Sequence, residues 1–86
     1  MTIKGKIICT IKPTHPEYNC LLNDFKGKSK YVYEDTYTFD DDLWSKPSAI
    51  AYIKNDLMLI AGGGYNIYNA ITHIEDVSFE INEVVI

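Results

Sequence analysis

The first stretch of the chain alternates between apolar and polar residues. From residue 3 to residue 11 every second side chain is apolar or small, and the side chains between them are polar except Ile8. A period of two over this length predicts a strand with one buried face and one lysine-bearing exposed face. The buried set is Ile3, Gly5, Ile7, Cys9 and Ile11, and the exposed set is Lys4, Lys6, Thr10 and Lys12.

Two further strands are predicted before the middle of the chain. The Pro13–Pro16 segment indicates a loop, because proline removes a hydrogen-bond donor from a sheet. Tyr18, Cys20 and Leu22 favour a short second strand, and residues 23–28 have the composition of a turn. In the third strand Tyr31, Tyr33, Tyr37 and Phe39 alternate with Val32, Glu34, Thr36 and Thr38. The three segments predict an antiparallel meander.

A helix is predicted from Pro47 to Ala61. Ser45 lies two positions before Pro47, and this order favours a helix start because proline fits the first turn. Gly62, Gly63 and Gly64 then provide a stop, with one of them expected in the left-handed conformation. Apolar residues between these ends recur on one helical face, at Ile50, Ile53, Leu57 and Ile60.

The alternative for this segment is a β-hairpin. Its strands would be residues 49–53 and 57–61, with a turn at residues 54–56. The alternation within both halves is poor, which favours the helix.

Alternation returns near the end of the chain. Val77, Phe79 and Ile81 alternate with polar residues, so a last strand is predicted from near Ile74 toward Val84. No repeat or linker divides the chain, which predicts a single α+β domain over residues 1–86. We expect an antiparallel sheet of three to four strands with one helix packed on one face, in the order β-β-β-α-β.

Charge is distributed unevenly along the chain. Residues 1–30 contain six lysines and two carboxylates, whereas residues 31–86 contain two lysines and ten carboxylates, for a formal net charge of −4. The chain contains no arginine, so the bidentate group that most often recognises phosphate or guanine is missing. Any contact with nucleic acid therefore depends on lysine charges and aromatic stacking.

The first candidate site is an acidic and aromatic segment in the middle of the chain. Five carboxylates fall within nine residues, next to tryptophan and tyrosine, which dominate protein-binding hot spots. A solvated acidic loop before a helix is the structural alternative, and the pattern of a calcium loop is missing. The predicted partner-binding residues are Glu34, Asp35, Tyr37, Asp40, Asp41, Asp42 and Trp44.

The second candidate site combines lysines with tyrosines. Single-strand binders stack bases on aromatic rings while lysines follow the phosphate backbone. The structural alternative is that the tyrosines form the inner face of the sheet. The residues of this nucleic-acid hypothesis are Lys4, Lys6, Lys26, Lys28, Lys30, Tyr31 and Tyr33.

The sequence shows no constellation for catalysis. His15 and His73 have no serine or cysteine nucleophile at a known spacing, and nothing in the sequence brings the two imidazoles together. The glycine run follows a predicted helix, whereas phosphate-binding loops precede one. Cys9 and Cys20 lack a metal-ligand spacing and are expected as buried, reduced thiols. We expect no enzyme activity, no metal and no cofactor.

In overall character the chain resembles the small accessory proteins of AT-rich phages and mobile elements. It is acidic, uses lysine without arginine, and is rich in isoleucine, asparagine and tyrosine. The resemblance implies a stoichiometric binder of a host protein, often an inhibitor of a defence enzyme or toxin. No segment is apolar enough for a signal peptide or membrane span, so we expect a cytoplasmic protein with no membrane partner. A homodimer is compatible with the sequence.

Overall fold

The computed structural model describes residues 1–20, 30–64 and 66–84. A three-stranded antiparallel sheet has the strand order β2-β1-β3, and two helices connect β2 to β3. In chain order the elements are β1 (Thr2–Ile11), β2 (Lys30–Thr38), α1 (Lys46–Ala61), α2 (Ile67–His73) and β3 (Ile74–Glu83). The predicted α+β class and antiparallel sheet are confirmed.

Strand β1 lies at the centre of the sheet, and its alternation decides what each face contains. Ile7 lies opposite Tyr33 of β2 and Phe79 of β3, so these residues share the inner face. Lys6 lies opposite Glu34 and Glu80 on the outer face. The predicted division of β1 into a buried and a lysine-bearing face is confirmed.

Helix α1 forms between local start and stop signals. The Ser45 side chain accepts a hydrogen bond from the Ser48 amide, and Pro47 occupies the first turn. At the other end Gly63 and Gly64 have φ angles of 81° and 83°, a backbone conformation that residues other than glycine rarely adopt. The predicted helix is confirmed, one residue longer at its start, and the hairpin alternative is wrong.

The core lies between α1 and the inner face of the sheet. Ile53 and Leu57 of the helix pack over Gly5 of β1, where a Cβ atom would lie 2.5 Å from the Ile53 Cγ2. The absence of a side chain at this position therefore allows the helix to approach the sheet. The largest fully buried side chains are Ile3, Ile7, Cys9, Ile11, Ile53 and Leu57.

The prediction of a single helix is wrong, because α2 follows the glycine run. Asn66 caps its start by accepting a hydrogen bond from the Asn69 amide. Ala70 packs against Gly62, where a Cβ atom would lie 2.6 Å from the Ala70 Cα. The short helix thus depends on a close contact with the end of α1.

The predicted second strand is also wrong. Tyr18, Asn19 and Cys20 are helical, and Leu22 lies outside the described residues. Because β1 already pairs with β2 on one side and β3 on the other, this segment has no free position beside it. The strands and the two helices α1 and α2 follow the order β-β-α-α-β, with the helical residues 18–20 between β1 and β2. Cys9 is buried as predicted, but Cys20 is exposed.

Candidate functional site

Four aromatic rings cluster where β2 leads into α1. Phe39 is buried at the centre, with its ring centroid 5.0 Å from that of Trp44 and 5.9 Å from that of Tyr52. Trp44 and Tyr52 contact each other edge to face at 5.4 Å, and Tyr37 lies 6.3 Å from Phe39. These spacings are typical of favourable aromatic pairs, so the cluster has a defined geometry.

The outer members of this cluster are accessible. The side chain of Tyr52 is 49% exposed, and Leu43, next to Trp44 in the chain, is 79% exposed. Trp44 is half-buried. Apolar and aromatic side chains that are held in place yet accessible are suited to contact with another protein.

Tyr37 connects the aromatic cluster to α1. Its hydroxyl donates a 2.6 Å hydrogen bond to the Asp56 carboxylate. Burial, followed by this hydrogen bond and the charges of Asp56 and Asp35, raises the pKa of Tyr37 well above its usual value. The hydrogen bond thus joins β2 to α1 at the side of the aromatic cluster.

The acidic loop before α1 is ordered by its own carboxylates and main chain. Asp40 Oδ1 accepts a hydrogen bond from the Asp42 amide at 2.9 Å, and the Asp40 carbonyl accepts from the amides of Leu43 and Trp44. Asp41 forms an ion pair with the α-amino group of Met1 at 3.0 Å. The three carboxylates remain exposed at the surface.

Together these residues form one surface, which we name the acidic-aromatic surface. Six of the seven residues predicted as partner-binding contribute to it. Its members are Asp35, Tyr37, Asp40, Asp41, Asp42, Leu43, Trp44, Tyr52 and Asp56.

Glu34 does not belong to this surface. It points from the outer face of β2, where its carboxylate forms a 3.2 Å ion pair with Lys4. Neighbouring residues of a strand face opposite sides, so Glu34 is separated by the sheet from Asp35 and Tyr37. The prediction grouped Glu34 with these residues because they are close in sequence, and for Glu34 it is wrong.

Sequence reasoning missed Tyr52 and Asp56 of α1. The two residues lie four positions apart and therefore on the same side of the helix. Within the predicted helix, this four-residue spacing is enough to place both side chains on one helical face. It could not have indicated that this side faces Tyr37.

The lysines and tyrosines of the nucleic-acid hypothesis lie on opposite faces of the sheet. Lys4 and Lys6 point outward and pair with Glu34 and Glu80 at 3.2 and 3.6 Å. Lys30 is exposed at the start of β2, and it lies opposite Thr10 on the outer face.

The two tyrosines of that hypothesis stack on each other on the inner face. The ring centroids of Tyr31 and Tyr33 lie 6.5 Å apart, at an interplanar angle of 10°. Burial raises the pKa of Tyr31. Lys26 and Lys28 lie outside the described residues. The described residues of this set therefore do not share a surface.

The structure brings the two histidines together, with their ring centroids 5.6 Å apart. His15 is 4% exposed, its Nε2 donates to the Ala61 carbonyl, and its Nδ1 accepts from the Glu17 amide, both at 3.0 Å. The Nε2 bond joins the loop after β1 to the end of α1, whereas the Nδ1 bond lies within the loop. Within residues 1–20, 30–64 and 66–84, no three His, Cys, Asp or Glu side chains form a possible metal site.

Among the described residues, no helix combines the length and apolar character that crossing a bilayer requires. Comparison with known proteins finds no matching protein family, no similar curated protein and no similar solved structure.

Proposed function

We propose that this protein is a non-catalytic binding module that captures a partner protein through the acidic-aromatic surface. The observation that carries the proposal is the accessibility of Leu43 and Tyr52 beside ordered carboxylates. Leu43 is 79% exposed although it directly precedes a half-buried tryptophan. Its main chain is fixed by the hydrogen bond from its amide to the Asp40 carbonyl, and covering a large exposed apolar side chain with a partner is favourable because water is excluded from it.

The charge of this surface favours a partner with a basic patch. Asp42 and Asp35 are exposed, and among the described residues neither forms an ion pair with a lysine. Exposed charges around a hydrophobic centre mainly accelerate association and exclude like-charged partners. The resemblance to accessory proteins suggests a host defence enzyme or toxin, which the module would inhibit by covering its surface.

The distribution of lysines and tyrosines argues against the alternative, binding of single-stranded nucleic acid. Stacked bases and the phosphate backbone must meet the same protein surface. Lys4 and Lys6 are separated by the sheet from Tyr31 and Tyr33, and both lysines are already paired with glutamates.

The test is capture from a bacterial lysate, with and without nuclease, followed by affinity measurements on the captured protein. We expect Leu43→Ser to weaken that affinity at least about tenfold, as for a residue at the centre of an interface. Changing Asp40, Asp41 and Asp42 to asparagine should mainly slow association, because asparagine keeps an acceptor for the Asp42 amide while removing the charge.

The matched control is Tyr68→Ser on α2. Tyr68 has the same exposed fraction as Leu43, 79%, but lies on a different surface. Capture should be unchanged in this variant. Equal losses in both variants, or recovery of nucleic acid alone, would contradict the proposed function.

A further inference from the structure

The outer edge of β3 is a second place where another chain can bind. The sheet order places β3 at one edge, and within the described residues no strand pairs with its outer side. Backbone N–H and C=O groups along such an edge can accept a further strand. Strand β3 spans Ile74–Glu83, which is long enough for a stable ladder.

On the inner face of the sheet, the side chains of β3 are apolar and only partly buried. Val77 is 38% exposed, and Phe79 and Ile81 are half-buried. Helix α1 reaches this row through Lys54, whose Nζ lies 5.7 Å from the centre of the Phe79 ring. An added strand with apolar residues on the same side would therefore extend the core past Phe79.

On the outer face of the sheet, strand β3 is acidic. Asp76 and Glu80 occupy alternate outer positions with Ser78 between them. Glu80 pairs with Lys6, whereas Asp76 has no ion pair among the described residues. A cavity of about 160 Å³ extends from Asp76 and Ser78 across β1 to Lys30 of β2. Basic residues are the complement of this row.

The charges along β3 bear on which chain could pair with its free edge. Two copies pairing antiparallel in the register centred on Ser78 would place Asp76 opposite Glu80, so like charges disfavour self-pairing in that register. We propose that β3 accepts an extended segment of a partner protein in which lysine or arginine alternates with apolar residues. This edge is separate from the acidic-aromatic surface, so the inference does not depend on the proposed function.

The experiment uses the full chain and a labelled synthetic peptide that alternates lysine with valine. Fluorescence anisotropy at low salt measures affinity, and amide hydrogen exchange locates the contact. We expect protection of β3 amides and binding about tenfold weaker in Asp76→Lys. Since Asp76 is exposed, this variant should retain the wild-type circular dichroism spectrum.

The control variant is Glu17→Lys, which changes the net charge equally at an exposed position outside β3. Its affinity for the peptide should match that of the wild type at the same salt concentration. The inference is overturned if both variants lose affinity equally, or if a glutamate-valine peptide binds as tightly. Protection confined to other elements, or self-association of the protein through β3, overturns it as well.

Discussion

At the scale of single residues, Gly5 decides how closely the helix approaches the sheet. It lies on the inner face of β1, opposite Asp35 of β2 and Ile81 of β3, and a Cβ atom here would lie 3.6 Å from the ring of Tyr37. Its neighbours across the core are Ile53 and Leu57, and a Cβ atom would lie 2.5 Å from the first and 3.3 Å from the second. These contacts involve branched side chains that are fully buried and cannot move aside freely.

We therefore expect Gly5→Ala to lower the free energy of unfolding by about 1–3 kcal/mol, the usual cost of overpacking a core. Chemical denaturation followed by tryptophan fluorescence would measure it. Lys4→Ala is the control, because Lys4 lies next in the strand but on the outer face. A Gly5→Ala protein as stable as wild type would mean that the helix does not rest on this position.

Tyr37 provides a pH-dependent test of the link between β2 and α1. Because burial and the Asp56 hydrogen bond raise its pKa, the folded protein keeps a proton that the unfolded chain releases above about pH 10. This stabilisation is complete below that pH and is lost as pH rises toward the folded-state pKa. We expect stability to fall more steeply above about pH 10 in wild type than in Tyr37→Phe.

Denaturation at a series of alkaline pH values would measure this difference. Cys9, whose pKa burial raises to about 11, and Tyr31 contribute in the same direction in both proteins. The comparison therefore isolates Tyr37. Tyr68→Phe, at an exposed position, should follow the wild-type curve. Identical slopes for wild type and Tyr37→Phe would contradict the assignment.

At the scale of elements, local signals explain which parts of the fold could be predicted. Helix α1 carries its own start at Ser45 and its own stop at the glycines, so the sequence determines both ends. The loop that leads into residues 18–20 depends on a contact that is distant in sequence, whereas helix α2 has a local start signal at Asn66 and packs against the end of α1. His15 bonds to Ala61 and Gly62 packs against Ala70, and no local pattern indicates either contact.

His15 joins the loop after β1 to the end of α1, and its substitution tests that link. His15→Ala leaves the Ala61 carbonyl and the Glu17 amide without their partner and opens a cavity. We expect a loss of about 2–4 kcal/mol in the free energy of unfolding. His15→Asn should restore part of it, because its carbonyl can accept from the Glu17 amide.

Equilibrium denaturation of both variants would measure these losses. Thr14→Ala, at the exposed neighbouring position, should lie within about 0.5 kcal/mol of wild type. Equal stability of wild type and His15→Ala would show that the loop is not held by this side chain.

At the scale of the whole molecule, the sheet separates chemistries that are neighbours in the sequence. The residues from Asp40 to Trp44 form a contiguous loop, so sequence proximity correctly grouped them. In β2 it grouped Glu34 with Asp35 incorrectly, because adjacent strand residues face opposite sides. Tyr52 joins the aromatic cluster only through the packing of α1 on β2. Candidate sites on loops are thus more predictable here than sites that span two elements.

This separation leads to a prediction for nucleic acid. The protein has a formal net charge of −4, its outer-face lysines are paired with glutamates, and its stacked tyrosines lie on the inner face. We therefore expect no binding to a single-stranded oligonucleotide at low salt. Fluorescence anisotropy would measure it for wild type, for Lys4→Gln with Lys6→Gln, and for Tyr33→Ser. All three should behave alike. Salt-dependent binding that both the lysine and the tyrosine changes weaken would contradict this prediction, because one strand would then contact both faces.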